Sequence, residues 1–400
     1  MSIISDNIKN NIKPSLTLLV DAKANELKAQ GYSIISLGIG EPDFDTPINI
    51  KNAAIKAIND GYTKYTAAGG VKELKEAIIN KFKRENNLEY KLNEIIVSSG
   101  AKQVIYNAFM ATINPGDEVI IISPYWVSYP EMVKIANGVP IIINSDYKKD
   151  FTLVLEEIEK SITPQTKWLM INSPNNPCGS VYGYNELKAL ANMILKYDNI
   201  HILSDDIYEH LTYDDEKFFT LAEIEPSLKN RILTVNGLSK TYAMTGWRIG
   251  YGAGSAELIK AMVIVQSQST SGACSISQMA AIEALNGTQD FIKERNIIFK
   301  SRRDMVAEKL NKVQGLKCNK PKGSFYLFVN CFGLFGKKTQ HGQILENSND
   351  VATYLLEKAH IAVVSGSAFG VEGYFRISYA TSEENLIESC RKIKEACDLL

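Results

Sequence analysis

The sequence predicts an α/β fold in which a largely parallel sheet is covered by helices on both faces. Short apolar runs alternate with helical patterns through the middle of the chain, and buried strands connected by helices make such a sheet. The chain is also long: 400 residues, 45% of them hydrophobic, exceed one ordinary compact core, so two domains are expected.

Taken in order, residues 15–30 form an amphipathic helical pattern ended by Gly31. Thr46-Pro47 reads as a helix start, with Thr as cap and Pro in the first turn. Residues 94–98 read as a strand, Gly100 makes the turn, and 101–113 continue as a helix. Asn114-Pro115-Gly116-Asp117 is a turn before the strand 118–122. The runs 167–171, 200–204 and 232–235 are further strands, with helical patterns such as 184–195 between some of them. After about residue 290 come a long charged helix, a Gly-Ser-Phe-Tyr-Leu-Phe strand from Gly323, and a final αβ portion. A large central domain is placed at 49–290. Residues 1–48 (an N-terminal arm and more) and 291–400 form a smaller one.

The 44 basic and 45 acidic residues nearly cancel, which gives no field directed at nucleic acid or an anionic membrane. Residues 1–13 are polar and lack the apolar stretch of a secretory signal. The apolar runs are of strand length, far short of a membrane span. Six scattered cysteines without a CxxC pair read as reduced thiols of a cytoplasmic protein. The four histidines have no metal-ligand spacing, so no metal is expected.

The residues that suggest chemistry stand at strand ends. Lys240 follows the strand 232–235. A lysine there sits in a pocket, where desolvation and nearby cations lower its pKa, as Schiff-base formation requires. Alone, it would be an ordinary surface lysine. Arg248, eight residues on, offers a guanidinium fork for a phosphate. The small-residue stretch Gly250-Tyr251-Gly252-Ala253-Gly254 after it lacks dinucleotide spacing. Ser99-Gly100-Ala101-Lys102 opens a helix, where free N–H groups favour an anion. Asp205 ends a strand and suits a protonated pyridine nitrogen, and Tyr208 and Asn176 suit a ring oxygen. Trp126 supplies a flat face after another strand. Arg376 lies inside an apolar strand and calls for a carboxylate partner. A capping Asp, a core Tyr or Trp and a plain Asn-Pro turn would account for each neighbour singly.

Together these segments resemble the fold type I pyridoxal phosphate (PLP) enzymes, specifically class I aminotransferases. The matches are Gly40-Glu41-Pro42-Asp43-Phe44, Lys64-Tyr65, Pro124-Tyr125-Trp126, Asn176-Pro177-x-Gly179, Asp205-x-x-Tyr208, Ser239-Lys240 and Phe375-Arg376-Ile377-Ser378. They run in the family's order over nearly the whole chain. The wording of residues 123–132 and 244–251 is similar to the bacterial aspartate/prephenate aminotransferase subgroup.

The resemblance implies a seven-stranded, mostly parallel sheet in the large domain. Lys240 would carry PLP as a Schiff base and shuttle the α-proton, Asp205 would bind the pyridine nitrogen, and Tyr208 and Asn176 the ring oxygen. Trp126 would stack on the ring. The phosphate would lie among Gly100, Ala101, Lys102, Arg248 and Tyr65 of a second subunit, so a homodimer is implied. Gly40, Trp126, Asn176 and Arg376 would hold the substrate's α-carboxylate, Lys102 a distal carboxylate, and Lys13 is associated with prephenate. The implied reaction is ping-pong transamination between aspartate and 2-oxoglutarate, with prephenate also accepted. An aromatic aminotransferase, a β-eliminating lyase, a cyclopropane-type synthase or a PLP-folded regulator shares parts of the pattern. Cys178, Asp206, Gly237 and Ser365 depart from common family residues, and Gly237 implies fewer phosphate hydrogen bonds.

Overall fold

The computed structural model describes residues 3–400. In chain order the strands among them are Ile35–Ser36 (β1), Ile95–Ser98 (β2), Glu118–Ser123 (β3), Val139–Asn144 (β4), Thr166–Asn172 (β5), His201–Asp205 (β6), Ile232–Gly237 (β7), Gly250–Ala253 (β8), Tyr326–Asn330 (β9), Ile361–Ala362 (β10), Val364–Ser365 (β11) and Tyr374–Ser378 (β12). Seven of them form one sheet in the order β2-β8-β7-β6-β5-β3-β4. Strands β3 to β7 run parallel where they pair, and β8 is antiparallel to both of its neighbours.

Alternation along the strands explains the two-sided cover. Ile95, Val97, Ile120, Ile122 and Ile202 face one apolar cluster, shared with the helices Ile48–Asn59, Lys72–Asn86 and Ser275–Asn286. Ile96, Val119, Ile121 and Leu203 face the other, shared with Ala101–Thr112 and Ala256–Ser269. Each such buried aliphatic side chain contributes roughly 1.5–3 kcal/mol. The glycines around residue 250 have a packing role: a Cβ on Gly250 would collide with the Ala101 amide, and one on Gly252 would lie 2.7 Å from Val104 Cγ1. They let the 101–112 helix lie close over β8.

A second core gathers the remaining elements. β12 pairs antiparallel with β11 and β9, and β1 runs parallel to β10. The helices Asp290–Leu310, Ser348–Ala359 and Glu383–Cys397 supply Val306, Leu355 and Ile393 to this core.

One local expectation is corrected. Thr46 does not cap a helix: Pro47 is the N-cap residue of Ile48–Asn59, and the Thr46 hydroxyl donates to the Ala243 carbonyl (2.6 Å). A half-buried carbonyl in the turn after Lys240 takes the hydroxyl proton, so the Thr46 side chain is committed away from the helix end.

Candidate active site

The parallel strands deliver their C-terminal ends to one place, as open α/β sheets do at a ligand site. Trp126 follows β3, Asn176 follows β5, Asp205 ends β6 and Lys240 follows β7. These four line one cavity of about 350 Å³ together with Gly40, Ala101, Lys102, Tyr208, Arg248 and Arg376. Gly100, the N-cap of the 101–112 helix, has φ 91°, and a Cβ there would meet the Arg248 guanidinium.

Lys240 is half-buried and donates to the Gly40 carbonyl (2.7 Å). Burial pushes its ammonium down to about 8, helped by Arg376 and Arg248 and opposed by Glu41 and Asp205. Burial raises the Asp205 carboxyl to about 6. The Tyr129 hydroxyl (2.6 Å), the Ile207 amide (3.2 Å) and the charge of Lys240 oppose that rise. Tyr208 is buried, its phenol 2.9 Å from that of Tyr326, and burial holds it protonated well above the ordinary range. The Lys102 ammonium stands 4.6 Å over the Trp126 ring and is lowered by burial and by Arg248.

Arg376 is buried in β12 between the rings of Tyr326 (4.4 Å) and Phe369 (4.9 Å). The carboxylate expected beside it is not a protein group. Its Nη1 donates to Asn176 Oδ1 (2.8 Å) and its Nη2 to the Gly38 carbonyl (2.5 Å), and its buried Nε has no partner. Among the described residues no acid pairs with it. A buried cation with only neutral acceptors leaves its charge uncompensated, which suits it to receive an anion.

Two expected residues stand apart. Lys13 is exposed and outside the cavity lining, and its backbone amide donates to Glu131 Oε2 (2.7 Å). Tyr65 is fully exposed and likewise outside the lining in a single chain. Gly237 is packed tightly: a Cβ there would lie 3.0 Å from the Ile249 carbonyl and 3.1 Å from Ile207 Cδ1. Cys178 is buried, with Sγ donating to Asn175 Oδ1 (3.0 Å).

Several site residues escaped the sequence reading. Tyr129 reaches Asp205 from the helix Ser128–Ile135, edge-on to Trp126 at 5.3 Å. Its spacing of three from Trp126, about one helical turn, is the signal that could have found it. Asn172 accepts from the Asn176 amide (2.9 Å) and donates to the Asp205 carbonyl (2.8 Å), tying two strand ends together. Tyr326 lay in the predicted β9 region with nothing in its own sequence to mark it.

An amine lowered toward neutrality, a buried carboxylate and several cations around one cavity are the marks of an enzyme active site that takes an anionic ligand. Residues 32–393 match the family model for aminotransferase class I and II. The chain is 60% identical to a probable aspartate/prephenate aminotransferase of Rickettsia typhi over all of both chains. It is 54% identical to one of Rhizobium leguminosarum bv. phaseoli over 99% of both. The crystal structure of the aspartate aminotransferase from Rhizobium meliloti superposes with TM-score 0.97 at 51% identity, covering 100% of each chain. That of the Thermus thermophilus enzyme with maleate gives 0.92 at 42%, covering 99% of this chain and 100% of that one. The chain belongs to the class I and II aminotransferases, whose chemistry rests on PLP.

The residues present fit that group. The first-turn amides of Ala101 and Lys102 lie at the start of their helix, where N–H groups lack helical acceptors. Lys102 and Arg248 add charge beside them, and the bare Cα atoms of Gly100 and Gly250 leave the approach open. Asp205 is a buried carboxylate with no cation at ion-pair distance, as a protonated ring nitrogen requires.

Proposed function

We propose that this chain is an aspartate aminotransferase that moves the amino group of L-aspartate to 2-oxoglutarate and also aminates prephenate to arogenate. Arg376 carries the reading: a buried guanidinium with a free N–H and no acidic partner is prepared for a substrate carboxylate. The names of the similar Rickettsia and Rhizobium proteins support the choice of substrates.

When bound, PLP supplies an electron-withdrawing ring that accepts the electron pair of the broken Cα–H bond. Lys240 would hold it and, as a free amine, would move the α-proton. Asp205, kept in place by Tyr129 and the Ile207 amide, would hold the ring nitrogen. Tyr208 and Asn176 would hold the ring oxygen, and Trp126 would pack on the ring. Ala101, Lys102 and Arg248 would hold the phosphate. Gly40, Trp126, Asn176 and Arg376 orient the α-carboxylate, Lys102 meets the distal one, and Lys13 bears on prephenate.

The chain works as a homodimer in which Tyr65 reaches the second site. The exposed apolar residues Ile48, Ile55, Ile58, Tyr62 and Tyr65 support this. The division at 49–290 puts the cofactor on one lobe and Arg376 on the other. The enzyme is cytoplasmic, a reading supported by six free cysteines. Among the described residues no helix is long and apolar enough to cross a membrane.

Purified protein loaded with PLP should show a visible absorption band that Lys240→Ala abolishes; a band that survives would remove Lys240 from its role. Glutamate and aspartate are then assayed as donors to oxaloacetate, 2-oxoglutarate and prephenate. Pyruvate and ammonia from cysteine-type substrates without an acceptor would point to elimination instead. Prephenate activity unchanged in Lys13→Ala would take Lys13 out of the site.

A further inference from the structure

A buried ion network stands outside the cavity lining. Lys81, on the 72–86 helix, is fully buried. Its ammonium pairs with Glu209 Oε1, lies 3.5 Å from Glu85 Oε2 and donates to Asn86 Oδ1 (2.8 Å). The Glu209 carboxylate, also buried, accepts from Asn236 Nδ2 (2.8 Å) and Asn86 Nδ2 (3.2 Å). His210 places Nε2 3.0 Å from Glu85 Oε2 and Nδ1 3.3 Å from the Thr241 hydroxyl. Glu85, Glu209 and His210 converge closely enough to resemble a metal site. The cation between the two carboxylates is Lys81's own ammonium, which makes the cluster an ion network.

Its members border the catalytic groups in sequence. Glu209 and His210 directly follow Tyr208, in the turn after β6. Asn236 belongs to β7, four residues before Lys240, and Thr241 follows Lys240. Two cross-links, Glu209 to Asn236 and His210 to Thr241, thus join the turn that bears Tyr208 and follows Asp205 to the end of β7 and the residue after Lys240. Lys81 neutralises the carboxylate on which the first link depends.

We propose that Lys81 is a positioning residue: its buried pair with Glu209 sets the offset of Lys240 from Asp205 and Tyr208. A buried carboxylate that loses its cation either protonates or moves toward water, and either change loosens its hold on Asn236 and so the end of β7. The inference rests on the roles given above to Lys240 and Asp205.

The test uses Lys81→Met, Glu209→Gln and the double variant, prepared as PLP-free and PLP-loaded protein. Melting of the PLP-free forms measures coupling, and the rate at which each develops the visible band on adding PLP reports Lys240 placement. Lys81→Met should still form the band, about 10-fold more slowly. Its kcat should fall on the order of 10- to 100-fold, with KM for aspartate moved by less than about 3-fold, since small displacements cost rate more than binding. The double variant, with no unpaired charge, should regain melting temperature without regaining kcat. If Lys81→Met does not fold, the double variant and Asn236→Ala, which removes the amide that donates to Glu209, decide by the same readouts. Recovery of kcat together with stability in the double variant, or wild-type kcat in Lys81→Met or Asn236→Ala, overturns the proposal. Absence of the band in the wild-type protein would remove the role of Lys240 on which the inference rests; a wild-type band with wild-type formation rate in Lys81→Met would remove the inference alone.

Discussion

Replacing Arg376 by lysine keeps a charge on β12 and removes the fork. In the native protein one guanidinium nitrogen is committed to Asn176 and another to the Gly38 carbonyl, which leaves Nε and the remaining N–H groups for a ligand. An ammonium that satisfies the same two acceptors has one N–H left and no planar pair to present. The variant therefore loses about one charge-assisted hydrogen bond to the α-carboxylate, roughly 1.5–3 kcal/mol. That converts to a fall of about 10- to 150-fold in kcat/KM. Arg376→Met should lose more, because the buried Asn176 and Gly38 oxygens are then also left without donors at about 1–3 kcal/mol each. Initial rates with aspartate and 2-oxoglutarate, and inhibition by maleate as a dicarboxylate probe, measure both. A lysine variant within about 3-fold of wild type in kcat/KM, with maleate inhibition unchanged, would refute the assignment, since so small a change is under 1 kcal/mol.

The amine of Lys240 predicts how the PLP-free protein takes up its cofactor: below about pH 8 the rate should rise nearly tenfold per pH unit, then level off. A midpoint near the ordinary 10.5 would show that the cavity does not desolvate it. Between about 8 and 10.5 the unfolded chain holds this proton more tightly than the folded one, so Lys240 makes the PLP-free protein more stable as pH rises through that window. Gly250→Ala should weaken PLP binding on the order of 10-fold or more and lower the melting temperature, because its Cβ overlaps the Ala101 amide and shifts the helix start. Equilibrium dialysis checks it, and native affinity would mean that the helix start plays no part in holding the phosphate.

The strands and the residues just past their ends were the legible part. Apolar runs at 118–122, 167–171, 200–204 and 232–235 each lie within an observed strand or overlap it by all but one residue. Strand ends are where a parallel sheet puts its chemistry, which made Trp126, Asn176, Asp205 and Lys240 candidates, and the resemblance to the family gave them roles. Pairings between distant segments were not legible. Nothing in the sequence near Lys81 announces a buried cation, because the local pattern Lys81–Glu85 is that of a solvated helix face. Its partner Glu209 lies 128 residues away, and only the packing of the 72–86 helix against the sheet brings the pair inside. Thr46 failed for the same reason: the cap rule is local, and the Ala243 carbonyl that claims the hydroxyl is distant in sequence.

The short segment after β1 joins the two halves of the chemistry. Gly38 accepts from Arg376 and Gly40 from Lys240, so the same few residues hold the two groups proposed to take the substrate's carboxylate and its α-proton. Both acceptors are backbone carbonyls, which carry no charge and do not change with pH. The segment can therefore orient Lys240 without the larger rise in pKa that a carboxylate in the same place would cause. Arg376 and Arg248 act in the opposite sense and favour the free amine. An incoming carboxylate that neutralises Arg376 removes part of that pressure at the moment the substrate's amino group arrives. On the proposed mechanism, substrate binding would then make Lys240 a stronger base for taking the α-proton.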